Sequence, residues 1–275
     1  MPILNVEMQM CISIAARPSN IGTRFHNFLY DELGLNFVYK GFAVDDAEGA
    51  VRAVRALKIR GAAVSMPHKE DVIPFMDELD ISASAIDAVN TIVNTDGYLR
   101  AYNTDYQAVV DALAHHKVDN NYSVVVRGSG GMAKAVIAAF RDSGFGNLTV
   151  LSRNEVTGRT LAEKYGFKWL AESELEKLPA IDILVNVTPL GMSGGNEGQL
   201  SFPESLIKSS HVVFDVIAMP VETPLYELGM KYQKLVITGM EIMASQAAIQ
   251  FELYTGITLT EDQIKRASLF SRQQS

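Results

Sequence analysis

The sequence holds a single cysteine, Cys11, and that scarcity excludes both an internal disulfide and a zinc site built on thiolates. Its place in the apolar run MCISIA predicts a buried, inert thiol. Positive charge is also short: 24 Lys and Arg against 32 Asp and Glu give a formal net charge of -8, with no basic cluster. Binding along a phosphate backbone requires a cationic face, so nucleic acid is excluded as a partner. No apolar run approaches the ~20 residues that span a bilayer, which excludes a membrane partner. The first residues carry Glu7 and no early positive charge, so a cytoplasmic protein is expected. Low-complexity tracts and like-charge blocks are missing too. With 48% hydrophobic residues, the whole chain is expected to fold.

What is present reads as two α/β domains, in line with a length of 275 residues. In the first hundred residues, apolar stretches (MCISIA, NFVYKGFAV, IRGAAVSM) alternate with helix-like segments (RFHNFLYDELG, AEGAVRAVRAL, EDVIPFMDELD). That alternation predicts βαβ units in an open α/β domain. A hairpin turn is expected at Asp96-Gly97, followed by a helix from Thr104. From Tyr122 a strand (SVVVRG), a glycine-rich turn, a helix, a strand (LTVLSR) and a second helix make a clean βαβ unit. Buried strands follow at DILVNVT, HVVFDVI and KLVITG. The second domain is therefore expected to be a Rossmann-type, doubly wound parallel sheet, with a cleft between it and the first. Residues after Gly239 are expected to form one or two helices returning to the first domain. The boundaries are set at 1–103 plus 239–275 and at 104–238.

The turn Gly128-Ser129-Gly130-Gly131 lies directly after a buried strand and before a helix rich in Ala and Val. There Gly128 permits the tight turn, Gly130 lets the backbone approach a pyrophosphate, and the N–H groups of Met132 and Ala133 point at the phosphate charge. A plain strand-to-helix turn is the competing reading. An NAD site carries an acidic residue at the end of the next strand, but here the strand ends Ser152-Arg153-Asn154. Arg153 suits a 2′-phosphate, which selects NADP over NAD. Glu155 works against that preference, and a solvated surface charge is the other reading of Arg153.

Three segments of the first domain carry polar groups a plain core would not need: Ser65-Met66-Pro67-His68-Lys69, Ala88-Val89-Asn90-Thr91 and Asn103-Thr104-Asp105. Strand carboxyl ends are where open α/β sheets put ligands. Together with GSGG, NVTPLGM, ETPL and GMEIMASQA, the segments SMPHK, AVNT and NTD occur in an order that resembles the shikimate dehydrogenase family over most of the chain. The resemblance implies a substrate-binding first domain, an NADP-binding second domain and a small-molecule cyclic hydroxy acid as substrate, in a monomer or homodimer without a metal. It implies a catalytic pair at Lys69 and Asp105, and substrate contacts at Ser65, Asn90 and Gln246. It also implies a pyrophosphate turn at 128–132, adenosine contacts at Ser152, Arg153, Asn154 and Thr157, nicotinamide contacts at Thr188 and Val216, and a main-chain contact at Gly239.

The sequence also departs from the family. Two serines that bind the substrate carboxylate are replaced by Asn20 and Gly22. A tyrosine of the DxxY segment is replaced by Ala218, and a glycine by Asp87. All three changes weaken the case for shikimate itself and favour altered specificity. The expected activity is NADP-dependent interconversion of shikimate, at low efficiency, or of a relative such as quinate with its 3-dehydro ketone. The alternatives are an NAD-preferring quinate/shikimate-type dehydrogenase and a catalytically weak dinucleotide-binding sensor. Lys69 also reads as an exposed lysine opening a helix over KEDVIPFMDEL, and Asp105 as a first-turn carboxylate facing a helix dipole. His68 and Met240 are given no role in the site.

Overall fold

The structure, a computed structural model, describes residues 4–273. Its internal contacts divide the chain into two compact units, one running up to Thr104 and resuming at Ala244, the other spanning Asp105–Met243.

The first unit opens β1 (Gln9–Ala15), α1 (Asn20–Glu32), β2 (Phe37–Ala43), α2 (Ala47–Ala56) and β3 (Gly61–Val64), the three strands parallel. Alternate residues of a strand face opposite sides, so Ile12 and Ile14 join a core with Val54, Val64, Ile92 and Leu99, while Cys11 joins another with Phe25, Leu29 and Tyr39. Cys11 is fully buried, and burial pushes its thiol up to about 12. The helix expected over EDVIPFMDELD does not form. Pro74 brings no N–H and clashes with the preceding turn, and the segment makes only a 3-10 turn at Ile73–Phe75 and the short β4 (Glu78–Leu79). After α3 (Ile81–Ser84), the hairpin β5 (Thr91–Thr95) and β6 (Tyr98–Tyr102) turns through Asp96 and Gly97, both at positive φ, as a tight primed turn requires. The sheet order is β2-β1-β3-β5-β6-β4, with β5 antiparallel to its neighbours.

Helix α4 (Thr104–His115) leads into the second unit. There β7 (Val124–Arg127), α5 (Gly131–Asp142), β8 (Leu148–Ser152), α6 (Glu155–Tyr165), β9 (Lys168–Ala171), β10 (Ile183–Asn186), α7 (Glu204–Ser209), β11 (Val212–Asp215), α8 (Pro224–Lys231) and β12 (Leu235–Thr238) build an all-parallel sheet. Its order, β12-β11-β10-β7-β8-β9, reverses direction between β7 and β10, which is the doubly wound Rossmann arrangement. The central strands are buried on both faces and each opens with three consecutive apolar residues. Strand β9 was not anticipated: one exposed and three half-buried residues at a sheet edge leave a weak pattern.

Helix α9 (Gly239–Thr255) begins in the second unit and ends in the first, where Phe251 and Tyr254 enter the core beside Phe25 and Tyr39. Full burial of such side chains is worth about 1.5–3 kcal/mol each. Helix α10 (Glu261–Arg272) packs on α1: Phe270 lies against Phe28, and Arg266 pairs with Glu32. Among the described residues, no helix is long and apolar enough to cross a membrane.

Candidate active site

Ligands of doubly wound sheets gather beyond the carboxyl ends of the strands at the point where strand order reverses. In the second unit that position holds a cavity of about 620 Å³, lined by residues 127–130, 152–154 and 187–190 with Glu172, Asn196 and Gln199. Gly128 sits at φ 121, and a Cβ there would come within 2.8 Å of the Val187 side chain, so the turn after β7 accepts only glycine comfortably. Gly130 is the N-cap of α5 and supplies no side-chain bond to the helix, while Cβ positions at Gly130 and Gly131 meet open space. A helix start with open space beside it and no side-chain cap suits an anion.

The adenosine side is set by a short chain of bonds. The indole of Trp169 donates to Ser152 Oγ at 3.0 Å, Ser152 donates to the Asn154 carbonyl at 2.9 Å, and Asn154 Oδ1 caps α6 by accepting from the Thr157 N–H. Thr157 in turn meets Ser129 hydroxyl to hydroxyl at 2.7 Å. Exposed Arg153 projects from this frame. Glu155, expected to blunt its charge, is engaged by Arg159 at 2.8 Å instead. The glycine turn, the uncapped helix and this cation together fit a dinucleotide bearing an extra phosphate.

Thr188 lies beyond β10, with its N–H and hydroxyl both donating to Asn186 Oδ1 at 3.0 and 2.6 Å. Asn186 Nδ2 donates to Asp215, which also accepts from the Thr223 hydroxyl and the Ile217 N–H. Burial raises the Asp215 carboxyl above its ordinary range, and these donors pull it back. Removing one partner would leave a buried group unsatisfied at about 1–3 kcal/mol. This hub fixes residues 216–223. A Cβ on Gly239 would overlap the Val216 carbonyl, so those two backbones touch only because position 239 is glycine. Val216, Gly239, Gly131, Met132 and Thr157 lie outside the cavity lining. The sequence reading missed lining residues Arg127, Glu172, Asn196 and Gln199. Arg127 pairs with Glu172 and donates to the Ser201 carbonyl. Its position at a strand end was the only available signal.

In the first unit, β3 delivers Ser65 and Lys69 beside Asn90. The Val64 N–H donates to the Asn90 carbonyl and the Val89 N–H to the Lys69 carbonyl, both at 2.8 Å. Buried His68 turns its ring to the Val44 carbonyl, also at 2.8 Å, while Lys69 is half-buried and Ser65 exposed. Asn90 bonds Thr104 through both ends of its amide, and Thr104 Oγ1 donates to Gln246 Oε1 at 3.2 Å. Asp105 is the next residue in the chain and the first of the second unit.

Asn20 and Gly22 lie in the first turn of α1, whose N-cap Ser19 makes no side-chain bond to the helix. A Cβ on Gly22 would stand an ordinary 3.5 Å from the Tyr39 hydroxyl. Asp87 adopts φ 51, a left-handed conformation that Asp tolerates better than most residues, which accounts for its standing at a position of glycine type.

Residues 20–92 match the shikimate dehydrogenase substrate binding domain. Over 271 residues, the chain is 51% identical to a shikimate dehydrogenase-like protein of Haemophilus influenzae, covering 98% of this chain and 99% of that one. It is 36% identical over 248 residues to a shikimate dehydrogenase (NADP(+)) of Dehalococcoides mccartyi, covering 86% of each. A solved shikimate 5-dehydrogenase-like protein superposes with a TM-score of 0.96 at 50% identity, covering 98% of this chain and all of the other. Likeness of this extent, together with a glycine-turn nucleotide cavity and a hydrogen-bonded Asn-Thr-Gln chain, makes this chain a member of the shikimate dehydrogenase family.

Proposed function

We propose that this chain is an NADP-dependent dehydrogenase that interconverts shikimate, with low efficiency, or a related cyclic hydroxy acid such as quinate, and the 3-dehydro ketone. The observation that carries this reading is the connected set Asn90–Thr104–Gln246, whose Thr104 precedes Asp105, with Lys69 held through its carbonyl by the N–H of Val89, the neighbour of Asn90. In the reading, residues 1–103 and 239–275 hold the acid and residues 104–238 hold the nucleotide.

The turn at 128–132 would hold the pyrophosphate, Arg153 the 2′-phosphate, and Thr188, Val216 and Gly239 the nicotinamide side. The bound nucleotide would supply the hydride acceptor for oxidation and the donor for reduction. Lys69 exchanges the proton of the reacting hydroxyl, giving it to the ketone oxygen in reduction and taking it in oxidation, and Asp105 orients the lysine. Asn90, Gln246 and Ser65 hold substrate hydroxyls. Asn20 and Gly22 bring no side-chain hydroxyl to the start of α1, which predicts weak retention of the substrate carboxylate and hence low efficiency with shikimate. That same absence is what favours the second reading, a weakly catalytic nucleotide sensor.

Initial rates of NADP and NAD reduction with shikimate and with quinate test the proposal. Turnover of at least one acid, faster with NADP, supports it. NADPH binding without turnover of either acid would replace it by the sensor.

A further inference from the structure

We infer that Arg127 is a positioning residue for nucleotide choice: it holds the Glu172 carboxylate away from Arg153, and so leaves Arg153 free to take a 2′-phosphate and select NADPH over NADH. The inference rests on the reading of this cavity as the NADP site, and it adds which residues let the site accept the extra phosphate.

Three charged side chains line the cavity: Arg127, Arg153 and Glu172. Their register sets up a competition. Strands β8 and β9 run parallel with Ser152 opposite Ala171, so the chain leaves the two strands with Arg153 and Glu172 side by side. An acid beside that position is what a site for the unphosphorylated nucleotide uses, where it accepts from the ribose hydroxyls. Here Glu172 accepts instead from Arg127 Nη2, and Arg127 Nη1 donates to the Ser201 carbonyl. Exposed Arg153 makes no hydrogen bond or ion pair among the described residues. Two cations against one carboxylate leave the lining with a net positive charge, carried by Arg153.

Stability does not account for the arginine at position 127. Val125, two residues earlier and therefore on the same face of β7, belongs to the apolar core with Leu151, Leu184 and Phe202. Arg127 continues that face with its side chain only 12% exposed, and its buried Nε has no partner. Replacing a buried ion pair by apolar side chains is often neutral or stabilising. What an apolar residue would change is the charge of the cavity: Glu172 would be released to its neighbour Arg153. The other nearby acid, Glu155, is engaged by Arg159, which also lies 4.2 Å from the centre of the Trp169 ring. That pair is more than half exposed and screened by salt, whereas the pair at Arg127 is sheltered.

The test uses the full chain as Arg127→Met, Glu172→Gln and the double variant, with NADPH and NADH affinities titrated by fluorescence at low and high salt, beside Tm. Wild type should bind NADPH more tightly than NADH. Arg127→Met should weaken NADPH by about tenfold, the loss expected of one phosphate contact, and more at low salt than at high, with NADH little changed. The double variant should recover NADPH affinity, because no carboxylate remains to capture Arg153, although the bond to the Ser201 carbonyl is still missing. A purely structural role for Arg127 would give no such recovery. Glu172→Gln alone should bind NADPH at least as tightly as wild type. Unchanged NADPH affinity in Arg127→Met would overturn the inference. So would an equal loss of NADPH, NADH and Tm that the double variant does not reverse, or a wild type that binds NADH as tightly as NADPH. Should wild type bind NADPH but oxidise neither acid, the proposed dehydrogenase activity fails while the titrations still decide this claim.

Discussion

In the proposed function the two units bind by different means. Beyond β7 the second unit uses backbone: a glycine at φ 121, an uncapped helix start and one exposed arginine. The first unit uses side chains: Lys69 on a pinned segment and a hydrogen-bonded chain of buried Asn90, buried Thr104 and half-buried Gln246. Backbone recognition tolerates change in every side chain except glycine. Side-chain recognition transmits each substitution to the ligand, so under the proposed function specificity for the acid would be concentrated in the first unit.

This contrast can be broken or sharpened by substitution. The largest effect is expected from Lys69→Ala, which should lower kcat by about a hundred- to ten-thousandfold while NADPH affinity stays as in wild type, read by steady-state rates beside fluorescence titration. Gly128→Ala should do the reverse. Strain at positive φ and the nearby Val187 should weaken NADPH by about tenfold to a hundredfold, with KM for the acid unmoved in assays at saturating nucleotide. Arg153→Ala should cost NADPH about tenfold and NADH nothing, since only the former carries the phosphate. Gly22→Ser adds a hydroxyl where the structure has room beside Tyr39, and should lower KM for shikimate by roughly threefold.

One further effect touches no ligand. Burial drives His26 down to about 3 from an ordinary 6.5, so between those values the unfolded chain binds a proton that the folded one does not. Stability should therefore rise with pH across that window and fall as pH drops below about 6.5, by at most about 1.4 kcal/mol per pH unit. Chemical denaturation across pH 4 to 6.5 should show a flatter dependence in His26→Phe.

The same contrast explains what was legible in the sequence. The parallel sheet announced itself because strands such as VVVR, ILVN and VVFD each open with three consecutive apolar residues and the glycine turn sits at a fixed place between strand and helix. The Asp96-Gly97 hairpin was equally plain, because few dipeptides accept two positive φ values. Edge strand β9 and the segment around Pro74 were not, since each depends on neighbours more than on its own pattern. In the site, Gly128 and Arg153 follow from local spacing. Arg127 and Glu172 do not, because their meaning arises from a bond that joins positions 45 residues apart.

The most direct test measures NADP reduction by shikimate and quinate in wild type, Lys69→Ala and Asp105→Asn, with NADPH binding followed on the same samples. The account predicts turnover of at least one acid by wild type and loss of kcat in both variants with binding intact. Turnover by Lys69→Ala at the wild-type rate would contradict it.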